Sequence, residues 1–343
     1  MKRVGFIGVG IMGSSMVRNL MKDGHEVHIY ARNKEKVEQV IADGAVFHDT
    51  IAECVKGRDA VITIVGYPQD VEDVYLGEDK ILESADPRTY LIDMTTTSPS
   101  LDAQLAKEAA EKGLKMLDAP VTGGDYGARS GTLSILVGGA KEAYEACLDL
   151  FSSMGKNITW YGPSGCGQHA KLANQIMQAG IMSGVCEALS YVKEKGLDPE
   201  VFMEGAAAGA GQNALLQAYG PRIVKGDLDP GFFIDFFIKD LKLAMYCFQT
   251  GSDFGAAVFS RMGERYCYQE STIGNGEKYI DVRLDTGWDV YQYYVTADGA
   301  QQKKIETYQG VYRIYLAAFL ILLGASLLYG LWNMRRRNKN KNQ

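Results

Sequence analysis

The sequence predicts an α/β protein in which a doubly wound parallel sheet precedes an all-α second domain. Strand-like and helix-like patterns alternate up to about residue 162, which is typical of such a sheet. An apolar stretch from Cys166 to Lys195 then predicts one long helix, too apolar on all sides for a surface element. Beyond about residue 262 the pattern changes again, first to a tyrosine- and valine-rich segment and then to a charge-free run of 19 residues.

The chain opens with a strand, turn and helix pattern that carries spaced glycines. An apolar run ends in Gly8, Gly10 and Gly13, and is followed by a helix-compatible segment from Ile11 to Asp23 and a strand-like run from Glu26 to Arg32. In such a motif one glycine permits a tight turn, the next lets a pyrophosphate approach the backbone, and the third lets the helix pack on its strand. Phosphates would lie at the helix N-terminus, where N–H groups and the helix dipole favour negative charge. The motif predicts a dinucleotide-binding Rossmann domain, with a purely structural glycine turn as the alternative.

The residues after the second strand indicate which cofactor is preferred. An NAD site usually has a carboxylate here for the ribose 2′-hydroxyl, but this chain carries Arg32, Asn33 and Lys34. A guanidinium matches a 2′-phosphate, so NADP(H) is the preferred cofactor and NAD(H) the second choice. The alternative is that Arg32 stacks on adenine in an enzyme that accepts both.

A lysine stands near the start of the long helix, among small residues and amides. Asn174 and Gln175 follow Lys171 at i+3 and i+4, so the three side chains share one helical face. A lysine held out of water there has its pKa lowered from about 10.4 toward the working range of a proton-transfer catalyst. The alternative is a solvated lysine on an amphipathic helix.

A turn over residues 118 to 125, D-A-P-V-T-G-G-D, follows a short strand-like run. Thr122, Gly123 and Gly124 put a hydroxyl and exposed backbone N–H groups at this turn, which suits a carboxylate. Ordinary turn chemistry would also explain the two glycines.

Taken together, five motifs resemble the β-hydroxyacid dehydrogenase family, the group of 3-hydroxyisobutyrate dehydrogenase and tartronate semialdehyde reductase, which is distantly related to 6-phosphogluconate dehydrogenase. They are G-F-I-G-V-G-I-M-G at 5 to 13, D-M-T-T-T-S-P at 93 to 99, D-A-P-V-T-G-G at 118 to 124, G-C-G-Q-H-A-K-L-A-N-Q at 165 to 175 and I-K-D-L-K-L-A at 238 to 244. The resemblance ends at about Met262. It implies a Rossmann NAD(P)-binding domain over 1–163, a helical substrate and dimerisation domain over 164–262, and NAD(P)H-dependent interconversion of a short 3-hydroxy acid and its 3-oxo acid or semialdehyde.

The resemblance also assigns roles to individual residues. Lys171 would be the catalytic acid/base and Asn174 would orient the substrate beside Gln175. Thr122 would bind the substrate carboxylate with the amides of Gly123 and Gly124. The cofactor would contact Gly8, Val9, Gly10, Ile11, Met12, Gly13, Arg32, Asn33, Val65, Thr96 and Lys239.

Four positions qualify these roles. The alternative for Lys239 is an ion pair with Asp235 or Asp240. Many family members carry asparagine at i+4 from the lysine, whereas this chain carries Gln175 there. Members that are like tartronate semialdehyde reductase also have glutamine at this position. Gln212 and Asn213 stand where a small hydroxyl residue is expected, so the substrate is polar and short if these amides line the pocket, although both could face solvent.

Composition narrows the partners. A formal charge of −6 and a pI near 5.4 argue against nucleic-acid binding. The 6 cysteines have no metal-binding spacing and are expected to be reduced thiols. The 4 histidines are expected to form no ligand pair, and His169 to be structural rather than catalytic. We expect a small hydroxy or oxo acid as substrate, no metal, and a homo-oligomer, either a dimer or a tetramer.

The C-terminal part lies outside the resemblance. Residues 263–311 form an extension of unknown fold, in which Tyr266 to Thr296 reads as β or irregular. Residues 312–333 are a predicted transmembrane helix and 334–343 a basic tail. The charge bias puts the tail in the cytoplasm and the enzyme outside, whereas NADP chemistry, free thiols and the missing signal peptide favour cytoplasmic catalytic domains with one anchoring C-terminal helix. A join to an unrelated membrane protein is a further explanation.

Two other functions fit the same residues. One is reduction of another carbonyl or of an imine on this scaffold, against which Lys171 weighs because relatives that reduce imines usually replace it. The other is a membrane-anchored NADP(H)-binding module without turnover.

Overall fold

A computed structural model describes residues 2–227, 233–249, 266–272, 278–285, 289–296 and 299–307. The chain divides after Cys247 into two units. In the first unit the strands are β1 (Arg3–Ile7), β2 (Glu26–Tyr30), β3 (Val46–Phe47), β4 (Ala60–Thr63), β5 (Tyr90–Asp93), β6 (Lys115–Asp118), β7 (Val121–Thr122), β8 (Leu133–Gly139) and β9 (Gly155–Gly162). The helices among them are α1 (Ile11–Lys22), α2 (Glu38–Ala42), α3 (Ile51–Val55), α4 (Pro68–Tyr75), α5 (Ile81–Ser84), α6 (Pro99–Glu111), α7 (Gly124–Ser130), α8 (Lys141–Ala146) and α9 (Leu148–Met154), with a 3-10 turn at Glu35–Val37.

The sheet confirms the predicted doubly wound architecture in its first six strands. Their order is β3-β2-β1-β4-β5-β6, and all neighbours are parallel. The remaining strands depart from the prediction, because β8 runs antiparallel to β6, and both β7 and β9 pair with β8. After β6 the chain passes through β7 and α7 and then pairs β8 antiparallel to β7, so this edge is built by a reversal of the chain and not by a parallel crossover.

Both faces of the sheet are buried. In β1 the side chains of Val4 and Phe6 belong to one apolar cluster and that of Ile7 belongs to the cluster on the other face. A parallel strand covered on both sides has no polar face, which explains the continuous apolar run at the start of the sequence. The carboxyl ends of β1, β4 and β5 therefore meet at one edge, where ligands of such sheets bind.

The helices that follow the sheet are α10 (Cys166–Glu194), α11 (Pro199–Ala207), α12 (Ala214–Val224) and α13 (Ile234–Gln249), and the division after Cys247 falls within the last turn of α13. Gly196, with a φ of 71°, follows the end of α10, and the carboxylate of Asp198 caps α11 by accepting from the backbone N of Glu200 at 2.8 Å. The predicted end of the long helix and start of the next are thereby confirmed.

The start of α10 is fixed to the end of β6. The buried carboxylate of Asp118 accepts hydrogen bonds from the backbone N of Gly165 at 2.8 Å and of Gln168 at 3.0 Å. A Cβ at Gly167 would lie 2.3 Å from the carbonyl oxygen of Leu136, and one at Gly138 would lie 2.5 Å from Oδ1 of Asp118. The helix therefore approaches the sheet closely only because both positions are glycine.

Further along, α10 is not buried on all sides within one chain, contrary to the prediction. Met177 is 62% exposed and Tyr191 is 61% exposed, whereas Val185 and Leu189 pack against α11 and α12. The two short helices cover only one side of this half of α10, which leaves its opposite side without a partner from the described part of the chain.

The histidines and thiols partly follow expectation. Nδ1 of His28 lies 2.8 Å from Nε2 of His48, with the rings stacked, a contact that the sequence did not predict. The described residues contain no group of three or more His, Cys, Asp or Glu side chains suited to a metal ion. His169 is exposed, and the cysteines with described side chains are free thiols as predicted.

In the second unit the described residues form an antiparallel meander of β10 (Tyr266–Thr272), β11 (Lys278–Asp285), β12 (Asp289–Thr296) and β13 (Gly299–Thr307). Of the two readings left open for Tyr266 to Thr296, β or irregular, the described residues of this range show the β form. Among the residues that the structure describes, no helix is both long enough and apolar enough to cross a membrane. The predicted transmembrane helix at 312–333 and the basic tail at 334–343 lie outside the described residues.

The contact between α10 and the sheet can be tested with alanine at two glycines of the same helix. Gly167→Ala should lower the free energy of unfolding by about 1–3 kcal/mol, because its Cβ meets backbone oxygens of β8 and β6. It should also lower turnover, since Lys171 lies one turn further along. Gly180→Ala is the control, because no atom lies within 4 Å of its Cβ, and should stabilise by about 0.5–1 kcal/mol. Urea unfolding and activity assays measure both effects, and equal stability of the two variants would contradict the close approach.

Candidate active site

The three glycines of the turn after β1 differ in why the position has no side chain. Gly8 has a φ of 98°, and a Cβ there would lie 2.1 Å from the carbonyl oxygen of Ile64. A Cβ at Gly13 would lie 2.1 Å from the carbonyl oxygen of Gly8. At Gly10 a Cβ would meet no atom within 4 Å, so the missing side chain is not required by packing.

The open space at Gly10 lies at the N-terminus of α1. Gly10 is the N-cap of this helix, no side chain caps it, and no acidic residue stands in its first turn. The first N–H groups of a helix have no carbonyl of a preceding turn to bond, so these groups and the helix dipole suit an anion. Ile11 is 59% exposed beside this space and Met12 is half-buried. A dinucleotide pyrophosphate fits this arrangement of residues.

Arg32 follows β2 at the same edge of the sheet. Its side chain is 84% exposed, and Nη1 lies 3.3 Å from Oδ1 of Asp70 on α4. Asn33 accepts a hydrogen bond from the backbone N of Lys36 at 3.3 Å, which uses its carbonyl to start the 3-10 turn. Exposed ion pairs of this kind contribute little, so Arg32 can turn toward a ligand at small cost.

Three of the predicted cofactor-binding residues, Val65, Thr96 and Lys239, lie in or next to the segment after β5. The backbone N of Val65 donates to Oγ1 of Thr95 at 3.0 Å, which joins the ends of β4 and β5. Lys239, from α13, donates its ammonium group to the carbonyl oxygen of Thr96. Val65, Thr96 and Lys239 are therefore brought together, although Lys239 is far from the other two in the chain.

A buried polar network supports this segment from below. Oδ1 of Asp93 accepts from Oγ1 of Thr63 at 2.7 Å, and Nε2 of Gln168 donates both to the carbonyl oxygen of Thr95 and to Oδ2 of Asp102, each at 2.7 Å. Burial raises the pKa of Asp93 to about 6, and burial together with the charge of Asp93 raises that of Asp102 well above its ordinary value. Both carboxyl groups therefore favour the protonated form more than a carboxyl group in water does.

Lys171 lies in the second turn of α10 and is only 6% exposed. Burial lowers its pKa from 10.5 to about 8, while the carboxylate of Asp240 opposes this shift and the ammonium group of Lys239 adds to it. No hydrogen bond or ion pair holds its ammonium group within the described part of the chain. The amine of Lys171 is thus buried, its pKa lies near neutral pH, and no described side chain is hydrogen-bonded to it.

Amide side chains surround the lysine. Nδ2 of Asn174 lies 3.4 Å from Oγ1 of Thr122, and Nε2 of Gln175 donates to Oδ2 of Asp240 at 2.7 Å. Gln178, one turn beyond Asn174, lies with Nε2 at 3.4 Å from the same oxygen of Thr122. The structure thus brings the predicted Thr122, Asn174 and Gln175 together, next to Gly123 and Gly124, whose φ values are 128° and 61°.

Sequence reasoning missed Gln178. The signal was available, since Gln178 stands at i+7 from Lys171 and i+4 from Asn174, on the same helical face. It also missed Gln168 and Asp118, whose roles depend on contacts with residues about 50 to 70 positions away.

For Lys239 the ion pair with Asp240 that was considered as the alternative is present, and its contact with the cofactor stays a prediction. Its Nζ contacts Thr96 and also lies 3.2 Å from Oδ1 of Asp240, and burial lowers its pKa. The pocket role considered for Gln212 and Asn213 is not found. Asn213 caps α12 by accepting from the backbone N of Leu216 at 2.7 Å, and Gln212 is exposed.

Comparisons with known proteins agree with this geometry. A family model described as the NAD binding domain of 6-phosphogluconate dehydrogenase matches residues 3–162. A second, described as NAD-binding of NADP-dependent 3-hydroxyisobutyrate dehydrogenase, matches residues 165–272. An uncharacterized oxidoreductase of Bacillus subtilis, YkwC, is 49% identical over 244 residues, which is 71% of this chain and 85% of the relative.

Relatives with a named activity cover a similar share of the chain. The 2-hydroxy-3-oxopropionate reductase of Escherichia coli is 37% identical, over 71% of this chain and 83% of the enzyme. A solved 3-hydroxyisobutyrate dehydrogenase of Mycobacterium tuberculosis, with L-serine, is 27% identical with a TM-score of 0.68, over 77% of this chain and 94% of that one. Psf3 in complex with NADP+ and 2-OPP is 25% identical, also with a TM-score of 0.68, over 76% and 94%. Imine reductases at 18–20% identity share the fold.

The nucleotide-binding edge and the buried lysine, with these relatives, define an NAD(P)-dependent oxidoreductase that acts on the CH–OH group of hydroxy acids. The chain belongs to the β-hydroxyacid dehydrogenase family, in the group of 3-hydroxyisobutyrate dehydrogenase and 2-hydroxy-3-oxopropionate reductase. The family resemblance of the sequence motifs is thereby confirmed.

The space at Gly10 gives a test of cofactor binding that separates it from folding. Gly10→Ala should leave the melting temperature nearly unchanged, because its Cβ meets no atom, yet weaken NADPH binding at least about tenfold by filling the place of the pyrophosphate. Gly13→Ala is the contrast, since its Cβ at 2.1 Å from a carbonyl oxygen should destabilise the fold itself. Fluorescence titration with NADPH and thermal melting measure the two effects. Unaltered NADPH affinity in Gly10→Ala would mean that the cofactor lies elsewhere.

Proposed function

We propose that the chain interconverts a short 3-hydroxy acid and its 3-oxo acid or semialdehyde with NADP(H) as preferred cofactor, and that Lys171 is the general acid/base. The observation that carries this proposal is the buried amine of Lys171, whose pKa is lowered to about 8. A group that titrates near neutral pH can give up and take back a proton in each turnover. An ordinary surface lysine would stay charged.

The chemistry divides between the cofactor and the side chains of the protein. The nicotinamide, when bound, gives a hydride to the carbonyl carbon of the substrate or takes one from the corresponding alcohol carbon. Lys171 donates a proton to the carbonyl oxygen in reduction and removes it from the hydroxyl in oxidation. Because negative charge develops on that oxygen during reduction, the ammonium form also stabilises the transition state.

The amides and the hydroxyl beside Lys171 support binding of the acid group. Asn174 and Gln178 both donate toward Oγ1 of Thr122, and these two contacts occupy the lone pairs of the hydroxyl. The O–H of Thr122 is then left to donate to a substrate carboxylate, together with the N–H groups of Gly123 and Gly124. The negative charge of the substrate would be brought close to Lys171 and Lys239, which favours acids over neutral alcohols.

The role of Lys171 predicts a specific pH dependence. Oxidation needs the neutral amine, so kcat/KM for oxidation should rise with pH and level off above about 8, whereas kcat/KM for reduction needs the ammonium form and should fall above the same pH. Lys171→Met should lower turnover by about 10²–10⁴-fold and leave NADPH binding within a factor of a few. Lys193→Met, an exposed position on the same helix, is the control. Full activity in Lys171→Met would exclude its role, and NADPH binding without turnover of any 3-hydroxy acid by the wild type would favour a nucleotide-binding module.

The preference for NADP(H) rests on Arg32 at the end of β2. Arg32→Ala should lower kcat/KM for NADPH about tenfold or more and change that for NADH little, because only the 2′-phosphate would bond the guanidinium. Lys22→Ala removes one positive charge from the exposed end of α1 and serves as the control for net charge. Steady-state kinetics with both cofactors give the ratio. A ratio that Arg32→Ala does not change would favour stacking of Arg32 on adenine.

A further inference from the structure

The amides on the inner face of α10 form one network whose orientation is set from one end. Asp240 is 1% exposed, and its carboxylate, when ionised, can only accept hydrogen bonds. Gln175, which is also 1% exposed, must therefore turn its NH₂ group toward Oδ2 of Asp240, at 2.7 Å. The carbonyl oxygen of Gln175 consequently faces the other way, toward Asn174 and Gln178.

That carbonyl oxygen determines how the next two amides are turned. Oε1 of Gln175 lies 3.3 Å from Nδ2 of Asn174 and 3.1 Å from Nε2 of Gln178. Rotating either amide by 180° would put two carbonyl oxygens against each other. Both amides therefore present NH₂ groups to Gln175, and both direct their own carbonyl oxygens away from it.

Gln178 lies beside the group that the proposed function gives to the substrate carboxylate. Its Nε2 is 3.4 Å from Oγ1 of Thr122, and its side chain is only half-buried. Within the described part of the chain nothing donates to its Oε1. An oriented carbonyl oxygen without a donor, next to the carboxylate-binding hydroxyl, suits a substrate group that carries an N–H or O–H close to the carboxylate.

We propose that Gln178 is a specificity-determining residue whose carbonyl oxygen accepts a hydrogen bond from a donor on C2 of the substrate. This inference rests on the proposed function and narrows its substrate to 3-hydroxy acids that carry a hydroxyl or an ammonium group at C2. A methyl group in that place would face the carbonyl oxygen and leave it without a partner, which costs about tenfold for one half-buried amide.

Four compounds that differ only at C2 test the proposal. Glycerate carries a hydroxyl there, serine an ammonium group, 3-hydroxyisobutyrate a methyl group and 3-hydroxypropionate a hydrogen. Each is assayed for NADP+ reduction, with both enantiomers where they exist. The wild type should show a kcat/KM for glycerate or serine at least about tenfold above that for 3-hydroxyisobutyrate, and the comparison of glycerate with serine identifies which donor is used.

The matching variant is Gln178→Met, which keeps the length of the side chain and removes the carbonyl oxygen. It should lower kcat/KM for the preferred donor compound about tenfold more than kcat/KM for 3-hydroxypropionate, because the lost contact with Thr122 affects both compounds alike and the lost carbonyl oxygen affects only the first. Gln178→Leu serves as a second variant if the first does not fold, as judged by thermal melting. Met177→Leu, at the neighbouring position on the exposed side of α10, should match the wild type.

The outcomes separate this inference from the function beneath it. If the wild type oxidises none of the four compounds, the proposed function fails and the inference with it. If the wild type oxidises them but prefers 3-hydroxyisobutyrate, or if the ratio between donor and methyl compounds is the same in Gln178→Met, only the role of Gln178 is overturned.

Discussion

The active site depends on the hydrogen bonds by which the carboxylate of Asp118 holds the first turn of α10 in place. A buried acid that accepts two backbone N–H groups fixes both the position and the direction of a helix start, since the bonds are short and charge-assisted. Gly138 and Gly167 let the helix come close enough for these bonds to form. Lys171 follows one turn later, so its depth in the protein is a consequence of the same contact.

Burial lowers the pKa values of the two lysines at this site, and the carboxylate of Asp240 limits the size of this shift. Two lysines kept from water would both tend to lose their protons, and each also repels the charge of the other. Asp240 lies between these demands, because it stabilises the ammonium forms of Lys171 and Lys239 and at the same time binds Gln175. The one negative charge of Asp240 therefore affects the pKa of Lys171, the ion pair of Lys239 and the orientation of the side-chain amides on α10.

The sequence could predict those parts of the site that depend on residues close together in the chain. The turn at Gly8 and the helix face shared by Lys171, Asn174 and Gln175 depend on residues a few positions apart, and the structure contains both. The direction of β7 to β9, the contact of Lys239 with Thr96 and the pairing of two histidines depend on which distant segments meet, so local patterns did not contain them. Asn213 shows the converse, because its capping role was local but was passed over in favour of a pocket.

The buried carboxyl groups of Asp93 and Asp102 have a consequence for the segment after β5, which carries Thr95 and Thr96. Asp93 accepts from Thr63 at the end of β4, and Gln168 joins Asp102 to the carbonyl oxygen of Thr95. Burial raises the pKa of both carboxyl groups, so the folded chain holds protons there that the unfolded chain would release. Alkaline solution, in which both carboxyl groups ionise, should therefore weaken this support, because two negative charges would then lie close together away from water.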